Sequence, residues 1–306
     1  MKRLTSALAL TTAAILGLSA CGGGSDPLAS PSSSATGGGS GGGGDVVIGS
    51  ADFPESELLA EIYAGALKAK GINATTKPRI GSREIYLKAL EDGSIQVVPE
   101  YTGALGFFYD KNFSEKEPEK VYSTVKGLLP AKFVMLEKSA AEDNDSIVVT
   151  KKTAESKNLK ALGDLKSVAG EMTLGAPPEM KTRPQGVPGL TKTYGVTFGS
   201  FRELTGQGLV QALKNGQVDA ANIFTTDPSI SANGFVSLED TEKLFGSQNI
   251  VPLVAKDKAD QLAPALNAVS KALTTEVISG LLKETVIDKK DAKDVAAQFL
   301  KSQNLG

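Results

Sequence analysis

Ala89-Leu90-Glu91-Asp92-Gly93-Ser94-Ile95-Gln96-Val97-Val98-Pro99-Glu100-Tyr101-Thr102-Gly103 reads as the end of a helix, a glycine turn, a short apolar strand and a new helix start carrying an aromatic. The same grammar returns 123 residues later as Ala212-Leu213-Lys214-Asn215-Gly216-Gln217-Val218-Asp219-Ala220-Ala221-Asn222-Ile223-Phe224-Thr225-Thr226, where Tyr101-Thr102 lands on Phe224-Thr225. Two α/β halves that each present an aromatic and a hydroxyl at a strand's carboxyl end describe a cleft between lobes. In open α/β sheets ligands sit at that end, with helix N-termini facing it. Such a repeat also arises by chance in α/β proteins, so the rest of the chain has to support it.

Composition narrows the chemistry. At 306 residues there is room for one large or two modest domains. A hydrophobic content of 41% with 22% charged residues is ordinary for a soluble globular chain. The formal charge of -2 argues against nucleic acid as a partner. Histidine is absent and Cys21 is the single cysteine, which removes Ser-His and Cys-His nucleophiles and the usual zinc sites. No metal or cofactor is expected. A hydrolase built on carboxylates or a lysine stays open.

The first 44 residues read as an address and a tether. Lys2 and Arg3 precede an apolar run from Leu4 to Leu18, too short and too dotted with Thr and Ser for a membrane span. Residues 1–20 are therefore expected to be a signal peptide. The run ends Leu18-Ser19-Ala20-Cys21, which resembles the bacterial lipobox and makes Cys21 the expected lipidation site. Residues 22–44 are almost wholly Gly, Ser, Ala and Pro, a composition that cannot offset its ordering entropy. At about 5–6 Å times the square root of the residue number, this leash reaches roughly 25 Å.

The body begins with the strand Asp45–Ser50 and an amphipathic helix from Phe53-Pro54-Glu55 to about Lys70, with Leu58, Leu59, Ile62, Ala66 and Leu67 on one face. Pro54 suits a first helical turn, and Glu55 and Glu57 complement that helix end. A strand over Ile72–Arg79, a helix from Gly81-Ser82-Arg83, a partly helical passage over residues 103–129 and a strand over Lys132–Leu136 follow. Residues 140–144 are polar and loop, and Ser146–Thr150 carries the chain into a second lobe. That lobe should hold a helix near residues 158–168, strands at Met172–Gly175, Val218–Phe224 and Phe235–Leu238, and helices near Leu190 and over Gly206–Asn215. Ile250–Val254 is the return strand. From Lys258 onwards the chain reads as helical, with Leu262, Leu266, Val269, Leu273, Val277, Leu281 and Leu282 packing on the first lobe rather than in a coiled coil.

Four ordered segments, IGSADFPESELLAEIYAGALKAKGI, IGSREIYLKALEDGSIQVVPEYTGAL, LGAPPEMKTRPQGVPGL and LVQALKNGQVDAANIFTTD, together with the lipobox, closely resemble the substrate-binding lipoproteins of osmoprotectant ABC importers. That family takes up glycine betaine, choline and carnitine, and the resemblance runs from Asp45 almost to the C-terminus. It implies a type II periplasmic-binding fold: lobe 1 from residues 45–145 and 250–306, lobe 2 from 146–249, two crossover strands and a ligand cleft between them. It also implies a small-molecule solute, an ABC permease and its ATPase as partners, anchoring to the cell membrane through lipid, and a monomer outside the cytoplasm. A ligand that touches both lobes binds the closed state better and so shifts the population.

In the family, aromatic faces cage the trimethylammonium group, since ring quadrupoles attract a cation that cannot donate hydrogen bonds. Of the matching positions here, Tyr101 and Phe224 are aromatic. Asp145-Ser146 stands where the family often has Asn-Thr-Tyr, and Gln248-Asn249 where it often has Pro-Tyr-Tyr. Two rings where four are typical suggest a more polar solute, each lost ring forfeiting about 0.5–2 kcal/mol. Arg83, in the Gly81-Ser82-Arg83 run where the family usually reads Gly-Gly-Thr, could fork onto a carboxylate or a polyhydroxyl, or be a surface arginine paired with Glu84 or Glu55. Tyr101 reads as a ligand group, the alternative being a packed interdomain tyrosine. Asp227 before Pro228 could contact ligand or cap the next helix, and Arg183 reads as structural or as an interlobe ion pair. The expected binding set is Asp52, Phe53, Ser56, Ser82, Arg83, Tyr101, Thr102, Asp145, Phe224, Thr225, Thr226, Asp227 and Asn249.

Besides a solute receptor for an importer, the same fold could serve as a ligand sensor for a membrane signalling receptor. A carboxylate-based hydrolase is disfavoured, because no carboxylate pair stands out by spacing.

Overall fold

The computed structural model describes residues 45–306. The expected signal peptide, the Cys21 lipidation site and the Gly/Ser leash lie outside the described residues. The body opens with β1 (Val46–Ala51), α1 (Pro54–Ala69), β2 (Ala74–Gly81), α2 (Arg83–Glu91), β3 (Val97–Tyr101), α3 (Thr102–Tyr109), α4 (Pro118–Leu128) and β4 (Phe133–Met135). It then crosses to β5 (Ile147–Thr150), α5 (Lys151–Lys157), β6 (Thr173–Ala176), α6 (Val187–Tyr194), β7 (Ser200–Glu203), α7 (Gly206–Lys214), β8 (Ala220–Asn222), α8 (Ser229–Ala232) and β9 (Phe235–Ser237). β10 (Ile250–Ala255) returns, and α9 (Ala259–Ala272), α10 (Thr275–Leu282) and α11 (Ala292–Ser302) complete the body.

Two five-stranded sheets result, in the orders β2-β1-β3-β10-β4 and β7-β6-β8-β5-β9. Each has a parallel part built from βαβ units and antiparallel strands where the chain crosses between lobes. This is the two-lobed α/β architecture of type II periplasmic-binding proteins. β3 is buried throughout and β10 is buried over Ile250–Val254, and apart from Glu100 both are apolar, as expected where both sheet faces are covered. Pro99 and Pro252 face each other in register, so neither requires an N–H from the other.

Both copies of the opening motif form the same turn. Gly93 and Gly216 have φ of +79° and +68°, and a side-chain carbon at either position would meet nothing within 4 Å. Positive φ, not lack of space, is therefore the glycine requirement that ends α2 and α7 and starts the run into β3 and β8. In both sheets the following strand lies in the interior, so Tyr101, the last residue of β3, and Phe224, two residues past β8, emerge at the end facing the other lobe.

The C-terminal apolar positions pack on lobe 1. Leu262, Leu266, Val269, Leu273 and Leu282 are buried in one core with β1, α1 and α11, while Val277 and Leu281 lie partly buried against it. Two local expectations are corrected, and one strand is added. The α-helix after β5 occupies Lys151–Lys157 and stops at Asn158, which adopts the left-handed conformation, so residues 162–167 form only a 3-10 turn. The strand expected over Val218–Phe224 shortens to Ala220–Asn222, freeing Phe224 for the cleft. β7 at Ser200–Glu203 is an edge strand that its polar, exposed pattern concealed.

Candidate solute-binding site

Between the sheets lies a cavity of about 390 Å³, within the range of small-molecule sites. Of the expected binding residues, Asp52, Phe53, Ser82, Arg83, Tyr101, Asp145, Phe224, Thr226 and Asp227 border it. Ser56, Thr102, Thr225 and Asn249 do not, and for each the backbone explains why. Ser56 Oγ accepts the Ala51 N–H at 2.9 Å behind β1. Thr225 Oγ1 accepts the Asn144 N–H on the crossover. Thr102 and Asn249 bond to one another's segments: Asn249 N donates to Thr102 Oγ1, and Thr102 N donates to Asn249 O. The first amides of α3 are satisfied in the same way, Gly103 N by Ser247 O and Ala104 N by Gln248 Oε1 at 2.7 Å. That helix N-terminus therefore staples the return crossover to lobe 1 and does not point at a ligand, correcting the opening expectation.

Aromatic surface is richer than the sequence suggested. Phe53, placed by the β1–α1 turn, stands 6.0 Å from Tyr101 and 5.3 Å from Phe224, ring centre to ring centre. It bridges the rings of the two lobes into one cluster. Tyr86 also borders the cavity, so four rings line it where the motifs alone gave two.

Beside this cluster sits a buried acid pair. Glu55 is 3% exposed on the first turn of α1, and Asp143 is 3% exposed on the first crossover. Tyr101 OH donates to Glu55 Oε1 at 2.7 Å. Thr226 Oγ1 lies 2.6 Å from Glu55 Oε2 and 2.8 Å from Asp143 Oδ1, and Thr226 N donates to Asp143 Oδ1. A hydroxyl has one proton, so it can donate to only one of two carboxylates. The second contact is a hydrogen bond only when one of the acids carries a proton. Burial raises both acids above the ordinary carboxylate range, and each one's proximity to other acids reinforces this, Asp227 for Glu55 and Glu55 for Asp143. Among the described residues no lysine or arginine forms an ion pair with either acid. Asp145, which accepts from Asn222 Nδ2 at 3.0 Å, is likewise raised by burial.

Arg83 is neither a surface arginine nor paired with Glu84 or Glu55. It is 6% exposed and forks onto Glu100, Nε to Oε1 at 2.9 Å and Nη2 to Oε2 at 3.0 Å. Tyr86 OH and Tyr101 N also donate to Glu100, which gives that fully buried carboxylate four donors. Burial works to lower the Arg83 pKa, but the Glu100 charge outweighs it and the guanidinium stays charged. Nη1 makes no hydrogen bond among the described residues. Arg183, on the loop after β6, reaches across the cleft to Glu84 at 3.4 Å as an interlobe ion pair. Asp227 Oδ1 accepts the Ser229 N–H, so it caps α8 while bordering the cavity.

Glu55 was legible as a site residue, because it falls in phase with Leu58, Leu59 and Ile62 on the apolar stripe of α1. Glu100 was legible too, as a lone carboxylate in an apolar strand that demands a partner. Asp143 and Gln185 sit in irregular segments and carried no comparable signal.

A family model described as the substrate-binding domain of ABC-type glycine betaine transport systems matches residues 44–302. The glycine betaine-binding protein YehZ of Escherichia coli is 28% identical over 275 residues, covering 84% of this chain and 90% of that protein. The carnitine transport binding protein OpuCC of Listeria monocytogenes is 24% identical over 267 residues, covering 84% and 86%. A crystal structure of a glycine betaine/carnitine/choline ABC transporter protein superposes with a TM-score of 0.69 at 22% identity, covering 85% of this chain and 99% of that one, which supports the fold. These relatives lend nothing to the sensing alternative, and they set aside the hydrolase. The chain belongs to the ABC-type glycine betaine substrate-binding family: it is an extracytoplasmic solute-binding protein working with a permease and its ATPase, and not an enzyme.

Proposed function

We propose that the protein captures a small onium solute of the glycine betaine, carnitine and choline class and delivers it to the permease. The observation that carries this reading is the pairing of the Phe53–Tyr101–Phe224 ring cluster with the Glu55–Asp143 acids, which have no basic partner among the described residues. Ring faces and an uncompensated carboxylate both favour a cation, and the rings suit one whose methyl groups cannot hydrogen-bond. The names of the relatives point the same way.

In this reading Asp52, Phe53, Ser82, Arg83, Tyr101, Asp145, Phe224, Thr226 and Asp227 form the ligand wall. Lobe 1 comprises residues 45–145 and 250–306, lobe 2 residues 146–249, and the solute closes them as a monomer. Residues 1–20 are removed and Cys21 is lipidated, so the leash holds the body at the membrane. A Cys21→Ser variant should then appear in the medium instead of the membrane fraction.

Titration calorimetry with glycine betaine, carnitine and choline against a panel of sugars and polyols tests the reading. Binding confined to the onium solutes is expected. Binding of a sugar with none of an onium solute would overturn it, as would glycine betaine binding that survives Tyr101→Ala undiminished.

A further inference from the structure

Past the ring cluster and the acids, the wall of the cavity turns apolar. Lobe 2 contributes Pro177, directly after β6, and Leu209 and Val210 from the first turns of α7. Lobe 1 contributes Ile85, on the first turn of α2. Two contacts gather these residues. A Cβ at Gly175, near the end of β6, would come within 2.7 Å of Leu209 Cδ1, so α7 packs beside the strand that leads into Pro177. Arg183, on the segment that follows Pro177, meets Glu84 at 3.4 Å, which brings that segment up to the start of α2.

Ile85 is the part of this wall that the fold leaves uncovered. It is 54% exposed, the most exposed large hydrophobic side chain among the described residues. It is also held in place against Gly81, where a Cβ would come within 2.9 Å of its Cδ1. A single exposed isoleucine on an outer surface needs no explanation. This one borders a cavity whose wall continues in apolar side chains of the opposite lobe, and an apolar guest would remove all of them from water.

Size points the same way. At about 390 Å³ the cavity falls in the range of sites for drug-sized ligands, about 300–1,000 Å³. Glycine betaine is only a trimethylammonium joined to a carboxylate through one methylene. Its methyl groups suit the rings and its charge suits the acids, and nothing apolar remains of it to cover Ile85, Pro177 or Leu209.

We propose that the cavity takes an onium solute with an apolar body, such as the betaine of a branched or aromatic amino acid, whose side chain lies against Ile85, Pro177 and Leu209. The proposal rests on the onium reading above and extends it from the charged head to the rest of the solute. The wall adds affinity in proportion to the apolar area it shields, and it needs no hydrogen bond to do so.

Amino-acid betaines form a series in which trimethylammonium and carboxylate stay constant while the side chain grows. Calorimetry compares glycine betaine, alanine betaine, leucine betaine and phenylalanine betaine on wild type and on Ile85→Asn. Wild type should bind the leucine and phenylalanine betaines roughly 10- to 100-fold more tightly than glycine betaine, with alanine betaine between. Ile85→Asn should forfeit about three- to tenfold of that gain and hold glycine betaine within about twofold of wild type. Because the side chain is exposed, the ligand-free melting temperature should not move.

Glycine betaine binding as tightly as the larger betaines, or more tightly, would overturn the proposal and leave the onium reading intact. A size preference that Ile85→Asn leaves untouched would overturn it too, since the body would then lie against another part of the wall. If no betaine of the series binds, the onium reading falls and this proposal falls with it.

Discussion

Thr226 of the second lobe sits 2.6 Å from Glu55 of the first, across the cleft, and the same hydroxyl is 2.8 Å from Asp143 on the crossover. One small side chain thus joins both lobes and the hinge through a single hydroxyl. Thr226→Val keeps the shape and deletes the hydroxyl. The variant should lose about 1–3 kcal/mol of stability, because the two buried acids then lose the hydroxyl that stands between them, keeping only Tyr101 OH on Glu55 and the residue 226 amide on Asp143. Denaturant unfolding measures this, and a loss below about 0.5 kcal/mol would mean the contact is incidental.

The acid pair also sets a pH dependence. Both acids have folded pKa values raised above their ordinary 4.5 and 3.8, burial being the main cause. The folded state therefore binds more protons than the unfolded state between those ordinary values and the raised ones. Their contribution to stability is complete below the ordinary values and is lost as pH rises through the raised ones. Melting temperatures without solute should show this loss, and Glu55→Gln, permanently neutral, should flatten it. An onium solute compensates the ionised pair, so its affinity should rise over the same pH window. A flat wild-type profile in both measurements would contradict the raised pKa values of the pair.

Arg83 and Glu100 form a buried, bidentate pair with Tyr86 and the Tyr101 amide completing the carboxylate's shell. Arg83→Met removes one charge and leaves the other in the interior, a change that costs about 3–5 kcal/mol. Arg83→Lys should recover only part of that loss, because an ammonium cannot reproduce the planar fork. Unfolding curves for the two variants check both statements.

How much of this was visible in the sequence depends on the kind of signal each residue leaves. The Gly93 and Gly216 turns and the apolar strands after them are local features, so the two-lobed fold and the placement of Tyr101 and Phe224 could be read directly. The partner of Arg83 could not, because Glu100 lies 17 residues away and meets it only once α2 packs against β3. Thr102 and Asn249 looked like ligand groups because motif position does not reveal which amides a crossover will occupy. Asp143 and Gln185 lie in loops without periodicity, where nothing short of tertiary structure indicates burial.

Phe53 touches the rings of both lobes, so its removal should cost more than that of a ring on one wall alone. Phe53→Ala is expected to weaken glycine betaine binding by about 1–2 kcal/mol, roughly five- to thirtyfold, through lost cation–π attraction. Tyr101→Ala should do at least as much, since it also strips Glu55 of a donor. Calorimetry resolves either change, and wild-type affinity in Phe53→Ala would exclude that ring from the cage.

The seat of the cation is tested most directly by a crystal structure with glycine betaine bound. The quaternary nitrogen should lie within about 6 Å of the Phe53, Tyr101 and Phe224 ring centres, on the side facing Glu55 and Asp143. A nitrogen seated elsewhere, with those three rings packed only on one another, would contradict the assignment.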